Sequence, residues 1–326
     1  MTSTSTNIDY DETQAALFGM RKQDDRSKFL KAISGTWAFA KGYPMGMVGA
    51  VIMLILVTMA VIPQLFTPLA VQKADSIIGI HISDRFETPS WDFWFGTNAL
   101  GRDMYGRLVY GARTAIMIGF GAVVLAKLLS TVIGTVSAFF GGWVDNALQR
   151  IVEMVQAIPT LVFLILFVVM LEPRMPDIGP LSSDMLVILL VVAVHSGFVS
   201  SRTVRGVALS LREETYVEAA QSLGASDSRI MVRHIVPNLI AYVIVSASLF
   251  VGAAVLLESS LSFLGYGVQP PAPSWGRELN EAREELARYP HLAFFPGLFI
   301  FATVWSFNMF GDALRDRLDP RLRGST

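Results

Sequence analysis

Long runs without an ionisable side chain constrain this chain more than any other feature of its sequence. Residues 42–72, 154–171, 235–257 and 292–311 contain no Asp, Glu, Lys, Arg or His. Residues 114–144 contain only Lys127, and residues 185–201 contain only His195. A helix needs about 20 apolar residues to cross the ~30 Å hydrocarbon core of a bilayer. The six runs therefore predict an all-α polytopic membrane protein, and they exclude a soluble enzyme, a nucleic-acid binder and a disordered scaffold.

The basic residues predict how the six spans are oriented. The predicted transmembrane helices cover residues 45–67, 114–140, 152–171, 185–201, 236–257 and 292–311. If the connections alternate between the two sides, sixteen of the 26 Lys and Arg residues lie on the side of both termini and nine on the other. Because cytoplasmic loops are enriched in Lys and Arg, we expect both termini in the cytoplasm.

These spans predict the organisation of the whole chain. We expect a cytoplasmic leader over residues 1–44, a first transmembrane helix over 45–67, an external segment over 68–113, a five-helix core over 114–311 and a cytoplasmic tail over 312–326. Within the core, a cytoplasmic loop is expected at about 202–238 and an external segment at about 258–291. Residues 259–276 are also uncharged, but Gly265, Gly267, Pro270, Pro271 and Pro273 interrupt them. Such a segment could not satisfy its backbone in lipid, so we expect irregular structure there rather than a seventh span.

The loop at 202–238 is expected to contain a short helix that lies along the membrane surface. Ser210 and Glu213 fit a capping box that would begin this helix, and Gly224 fits a left-handed turn at its end. A second helix is expected to start at Ser226 or Asp227 and to run to Pro237, before the fifth span.

One face of the predicted surface helix is apolar. Its members recur at helical spacing, and they are Tyr216, Ala219, Ala220 and Leu223. Glu218 faces away from this stripe. Such a helix either docks on another protein or rests on its own bundle, and composition does not separate the two.

Four blocks of this sequence resemble one family of transport proteins. Tyr-Val-Glu-Ala-Ala-Gln-Ser-Leu-Gly-Ala-Ser at 216–226, with Pro237 after it, resembles the cytoplasmic EAA loop of bacterial ABC-importer permeases. The blocks at 95–103, 258–276 and 307–321 are similar to those of the C-type permease subunit of dipeptide and oligopeptide importers. Asn98 departs from that pattern, which usually has an acidic residue there. The resemblance implies the type I ABC importer (MetI-like) permease fold with six transmembrane helices.

The resemblance also implies partners and a location. The chain would pair with a second, non-identical permease subunit, be driven by two ABC ATPase subunits, and receive its solute from an extracytoplasmic solute-binding protein. It would lie in the cytoplasmic (inner) membrane of a prokaryote, in contact with membrane lipid and not with nucleic acid. ATP and Mg would be used by the ATPases, because this chain has no Gly-x-x-x-x-Gly-Lys-Ser/Thr loop. No catalytic residue, metal site or bound cofactor is therefore expected here.

The transported solute stays open at this point. Di- or oligopeptides come first, and nickel, glutathione and oligosaccharides are also handled by the family. An ion-coupled secondary transporter is the alternative, although it would need intramembrane carboxylates, and only Glu153 near a helix end qualifies. A serine protease of the membrane is disfavoured because His195 and Ser196 are adjacent on one helix and cannot face each other.

The resemblance assigns candidate residues to three sites. The residues for coupling to the ATPase are Tyr216, Glu218, Ala219, Ala220, Leu223 and Gly224. Those for an outer gate or a contact with the partner permease are Gly101, Arg102, Asp103 and Glu258. Those for a contact at the inner tail are Asp312, Arg315 and Asp316.

A few charged or kinked positions have alternative interpretations. Lys127 is expected to form an ion pair or to line a cavity, unless the span boundary is misplaced. Glu258 forms a gate or, alternatively, extends its carboxylate to the membrane surface. Arg150 and Glu153 are expected to pair at i, i+3, and Pro159 predicts a kink.

Overall fold

The apolar runs form long helices in a computed structural model that describes residues 41–67 and 77–318. In these ranges the longer elements are α1 (Pro44–Val61), α2 (Met104–Phe140), α3 (Gly142–Ala157), α4 (Thr160–Leu171), α5 (Ser183–Arg212), α6 (Thr215–Ser222), α7 (Asp227–Phe263), α8 (Trp275–Ala282) and α9 (His291–Leu318). The described residues form no β-sheet, only two isolated bridges. The predicted leader up to residue 40, and Asp319 and Arg321 of the tail, lie outside the described residues.

The number of spans agrees with the prediction. Five helices in the described part of the chain are long and apolar enough to cross a membrane: α1, α2, α5, α7 and α9. The helices α3 and α4 are bent by 93° at a short break, and they make a sixth span when the pair is counted as one. The prediction of one continuous helix over 152–171 is therefore wrong. Pro159 precedes α4 and has no N–H to continue α3, so the kink expected at this proline is a complete break.

Two helices form the centre of the bundle. α2 packs along α5, and α7 packs on both α2 and α9. Ile118 and Ala122 of α2 and Ile188 and Val192 of α5 are completely buried in one apolar cluster. Small and aliphatic side chains allow the two helices to approach closely over their whole length. This contact joins the two ends of the molecule.

The helices α2, α5, α7 and α9 extend past the predicted span boundaries, whereas α1 ends at Val61 rather than at residue 67. α2 begins at Met104 rather than near residue 114, and α5 continues to Arg212 rather than ending near residue 201. Apolar periodicity defines only the part of a helix that is uncharged, so polar turns at either end escape it. The loop expected at 202–238 is correspondingly shorter.

The second helix of that loop is not separate. It begins at Asp227, as expected, but it joins the fifth span as the single helix α7. Residues Met231–Ile235 form a π-helical turn directly before Pro237, and Val236 donates its N–H to the carbonyl of Met231. Pro237 has no N–H, and the wider turn carries the helix through this position.

Residues 259–276 do not form a seventh span. α7 continues to Phe263, so the first five residues are helical rather than irregular. Residues 264–274 then turn back to α8, through a cis peptide bond between Pro270 and Pro271. The start of α2, the turn at 264–274 and α8 lie together, at the end of α2 opposite to its C-terminal Phe140.

Candidate functional site

A short helix between α5 and α7 carries the predicted coupling residues. α6 ends in a Schellman motif, in which Gly224 donates its N–H to Gln221 at 2.9 Å and Ala225 donates to Ala220 at 3.1 Å. Gly224 has a φ of +79°, which an L residue rarely adopts. The predicted role of Gly224 at the helix end therefore agrees with the structure.

The start of α6 differs from the prediction. Ser210 lies inside α5, and α6 begins only after Glu214, whose side chain makes no capping bond. The capping box is therefore wrong. Val204 and Ala208 of α5 and partly buried Leu211 pack into the apolar cluster at this end, and this tertiary packing keeps α5 helical past the Ser-Glu pattern.

One side chain anchors α6 to the bundle. Val217 is completely buried between helices. Its buried neighbours are Ala138, Phe139, Val204, Ala208, Ile230, Ile235 and Leu239, from α2, α5 and α7. We name the end of the bundle formed by this cluster and α6 the docking end. α6 is thus anchored in a cluster to which three other helices contribute.

The predicted apolar stripe of α6 faces outward. Leu223 is 88% exposed and Tyr216 is 37% exposed. Glu218 and Ala219 are exposed too, and Ala220 is partly buried. The helix therefore rests on its own bundle through Val217, a residue outside the stripe, and it leaves the stripe uncovered.

Polar contacts brace the docking end. Asp145, in the first turn of α3, accepts bonds from Arg205 of α5 at 2.7 and 2.5 Å and from the hydroxyl of Ser137 of α2. Arg212 of α5 donates to the carbonyl of Ala138 at 3.1 Å. These bonds hold the C-terminal ends of α2 and α5 and the start of α3 together, next to α6.

Two exposed ion pairs lie beside the bent span. Arg150 and Glu153 form the predicted i, i+3 ion pair at 3.1 Å. Arg202 of α5 also pairs with Glu153, at 3.2 Å. All three side chains are exposed, so we expect each pair to contribute little.

At the opposite end, the predicted residues 101–103 shape the start of α2. Asp103 caps α2, and its carboxylate accepts N–H bonds from Tyr105 at 3.3 Å and Gly106 at 3.1 Å. Burial raises the pKa of Asp103 to about 6, although the backbone bonds oppose this shift. Gly101 has a φ of +72° and lies against the carbonyl of His81, where a Cβ would clash.

The contacts of the Asn98 side chain account for its departure from the family pattern. Its side-chain oxygen accepts N–H bonds from Leu100 at 3.0 Å and Arg102 at 3.1 Å. Its amide nitrogen lies 3.5 Å from the carboxylate of Glu278, to which it donates. A carboxylate at position 98 would face that of Glu278 without a proton to donate.

A buried ion pair at this end was missed by the sequence reasoning. Arg107 Nε lies 2.5 Å from Glu278 Oε1, and the side chains are 0% and 1% exposed. Arg107 also donates to the carbonyl of Ile77 at 2.8 Å. The pair joins α2, α8 and the segment before α2. No pattern in the sequence identified the partner of Arg107, which lies 171 residues away.

Two further charged side chains, Arg102 and Glu281, lie near this ion pair. Arg102 donates Nε to the carbonyl of Gly79 at 3.2 Å, and its Nη1 is buried without a hydrogen bond. Glu281 of α8 pairs with Arg277 at 3.3 Å through one oxygen, and its other oxygen has no partner among the described residues. Burial raises the pKa of Glu281, and the nearby charge of Glu278 raises it further.

Glu258 is buried rather than extended to the surface. It is 1% exposed and accepts hydroxyl bonds from Ser262 and Ser274 at 2.8 Å and from Ser259 at 3.2 Å. The expectation of a surface carboxylate is therefore wrong. Ser274 directly precedes α8, so Glu258 ties the end of α7 to that helix. Like residues 101–103, Glu258 lies inside its own chain in this structure and could meet a partner only after a rearrangement.

The tail residues lie on the last turns of α9. Asp312, Arg315 and Asp316 are exposed. The structure therefore leaves them accessible, and it does not bring them into contact with the residues at the other end of the bundle.

His195 lies inside the bundle rather than in a metal site. It is buried, and its ring lies 5.0 Å from that of Phe163. In the described ranges, no three His, Asp or Glu side chains are grouped so that they could hold a metal ion.

Comparison with known proteins gives a consistent result. Residues 130–324 match the family described as "Binding-protein-dependent transport system inner membrane component". The dipeptide transport system permease protein DppC of Alkalihalophilus pseudofirmus is 37% identical over 274 residues, 84% of this chain and 86% of the relative. The glutathione transport system permease protein GsiD of Pectobacterium atrosepticum is 38% identical over 237 residues, 73% and 75% of the two chains. GsiD of Escherichia coli O157:H7 is 34% identical over 288 residues, 88% and 90%.

Proposed function

Because the chain belongs to the family of binding-protein-dependent transport system inner membrane components, we propose that it is a permease subunit of an ATP-driven importer and conveys energy through α6. The proposal places α6 in a groove of a cytoplasmic ATPase subunit. ATP-driven closure of two ATPases then moves α6, and the bundle switches between inward-open and outward-open states. ATP and Mg act on the ATPases and not on this chain.

The exposed face of α6 is the observation that carries this proposal. A helix whose apolar residue Leu223 is 88% exposed, yet whose Val217 is completely buried, suits contact with a second protein. Ala219 lets a partner surface approach the helix closely, because its side chain is a single methyl group. Val217 would transmit a push on α6 to the buried apolar cluster that it shares with α2, α5 and α7.

The relatives support a short peptide as the solute. One of these relatives is named for dipeptide transport and another for glutathione transport. These solutes are small, and both carry free carboxylates. We therefore propose import of di- or oligopeptides or of glutathione, with delivery by an extracytoplasmic solute-binding protein.

Replacement of Leu223 by aspartate tests the docking role of α6. We expect the Leu223→Asp variant to lose most ATPase subunits on co-purification, since burying an unpaired carboxylate in an apolar groove is costly. Leu286, 50% exposed and outside the docking end, provides the matched control. Leu286→Asp should retain the ATPases. Equal retention of ATPase by both variants would show that α6 is not the docking helix.

Omission of a second permease tests the partner composition. One bundle carries one α6, whereas two ATPase subunits present two grooves, so we expect this chain with its ATPases alone to give no ATP-dependent uptake in proteoliposomes. Adding a non-identical permease and the binding protein should restore uptake of a dipeptide. Uptake by the reduced set, or uptake that follows a proton gradient without ATP, would contradict the heteromeric ABC assignment.

A further inference from the structure

An apolar groove runs between α2 and α7 and contains one charged side chain. The groove has a volume of about 580 Å³, and Lys127 is the charged residue among its lining. Its walls include exposed aliphatic side chains: Val124, Leu128, Val132, Ile240 and Ile244. α5 packs on α2 and α9 packs on α7, and the groove lies on a face of these two helices that remains open.

Lys127 has no anionic partner in the part of the chain that the structure describes. The residue is only 7% exposed, and its Nζ lies 5.3 Å from the centre of the Phe250 ring on α7. The backbone carbonyl of Lys127 accepts hydrogen bonds from the hydroxyls of Ser130 at 3.1 Å and Thr131 at 2.7 Å. The ammonium group therefore has aromatic contact and access to the groove, but no carboxylate. The ion pair considered from the sequence is not present, and the cavity-lining interpretation agrees with the structure.

The position of Lys127 along its helix limits which anion could reach it. Lys127 lies near the middle of the otherwise uncharged residues 114–144. Thirteen residues separate it from Phe140 at the end of α2, which corresponds to about 20 Å of helix. This depth is unsuitable for a lipid headgroup, which stays at the membrane surface. Charged residues at such depth face protein or a water-filled cavity.

We propose that Lys127 forms a carboxylate-binding subsite on the translocation path, where it pairs with the free carboxylate of a small solute such as a peptide. This inference rests on the proposed function and identifies one of its contacts. A volume of about 580 Å³ falls in the usual range for small-molecule sites. Aliphatic walls accept varied side chains, whereas one fixed ammonium recognises the carboxylate that all unmodified peptides share.

The direction of the groove agrees with a path rather than with a closed pocket. On α2 it extends from Val123 to Val136, toward the docking end, and on α7 it extends from Ala247 to Met231. Met231 belongs to the π-helical turn that leads from α6 into the fifth span. A solute released from Lys127 would therefore move along the groove toward the end that carries α6.

The absence of cysteine from this chain allows the charge at position 127 to be removed and restored. In the complete complex with ATPases, second permease and binding protein, Lys127→Cys should reduce ATP-driven uptake of alanyl-alanine about tenfold, equivalent to ~1.4 kcal/mol. Treatment with 2-aminoethyl methanethiosulfonate adds an ammonium group at nearly the original distance and should restore most uptake. The anionic 2-sulfonatoethyl reagent should not restore it. Wild-type complex treated with each reagent controls for cysteines of the other subunits.

Three further measurements exclude a general effect of the substitution. Val124→Cys lies on the same groove, and its modification by either reagent should affect uptake without dependence on the sign of charge. Millimolar alanyl-alanine should slow modification of Lys127→Cys, whereas its C-terminal amide should not. A Lys127→Arg variant should retain uptake, because it keeps the positive charge.

Three outcomes would overturn the proposal while the wild-type complex remains active. They are full uptake by Lys127→Cys, a position 127 that neither reagent reaches in the assembled complex, and loss of the second permease from the Lys127→Cys complex. The last would assign Lys127 to a contact with the partner permease. Failure of the wild-type complex to import alanyl-alanine or glutathione with ATP would instead count against the proposed function.

Discussion

Gly224→Val is expected to leave the transport complex assembled and to separate ATP hydrolysis from uptake. Gly224 has a φ of +79°, and its N–H closes the Schellman motif of α6. The left-handed conformation costs a residue with a side chain about 1–2 kcal/mol. The chain can relieve this strain only by unwinding the last turn of α6 or by changing its direction. Since Val217 still anchors the helix start, the variant should bind ATPase but transmit its movement poorly.

The measurement is the ratio of dipeptide imported to ATP hydrolysed in proteoliposomes. We expect this ratio to fall about tenfold, as a coupling loss of ~1.4 kcal/mol would produce. Gly206→Val is the matched control, because a Cβ at Gly206 also has open space but its φ is not in the left-handed region. Valine and glycine differ little in helix propensity, so this control should remain coupled. A wild-type ratio in Gly224→Val would show that the turn after α6 does not transmit force.

Glu278→Gln is expected to cause a large loss of stability. The substitution removes the charge that neutralises Arg107, and Arg107 is completely buried. Breaking a buried pair by removing one partner typically costs about 3–5 kcal/mol. The pair joins α2 to α8, so its loss should loosen the end of the bundle opposite to α6. A lowered midpoint of thermal unfolding in detergent would report this effect.

Glu281→Gln is the control on the same helix. Its second oxygen has no partner among the described residues, and burial raises its pKa, so the folded protein disfavours its charged form. Replacing Glu281 with the neutral glutamine should therefore lower the stability only a little. For the same reason, the wild type should gain stability from Glu281 as the pH falls, and Glu281→Gln should lack that gain. An Arg107→Leu, Glu278→Leu double variant should recover much of the lost stability, because apolar side chains can replace a buried pair. Equal midpoints for Glu278→Gln and Glu281→Gln would contradict the importance of the buried pair.

The sequence predicted the spans well because their signal is local. A bilayer requires each crossing segment to be apolar and to satisfy its own backbone, so the runs without charge identify the spans without reference to any other part of the chain. The end of α6 was predictable for a similar reason, because a Schellman turn needs glycine at one position and Gly224 occupies it. Pro159 marked the bend between α3 and α4, although the sequence could not give the angle of 93°.

The errors arose where distant segments decide the structure. Ser210 and Glu213 have the spacing of a capping box, but the packing of Val204 and Ala208 keeps α5 helical through Ser210. Glu258 could be interpreted as a surface carboxylate until the fold brought Ser274 to it.

The sequence by itself determined the apolar spans and the short helix that ends at Gly224, because composition and local spacing encode those properties, and its four blocks indicated the family. Only the tertiary structure decided which face of α6 stays exposed, which buried carboxylate neutralises Arg107, and that Lys127 faces a groove without an anion. Each of these depends on contacts between segments far apart in the chain, and the energy of a buried charge depends on what the fold places beside it.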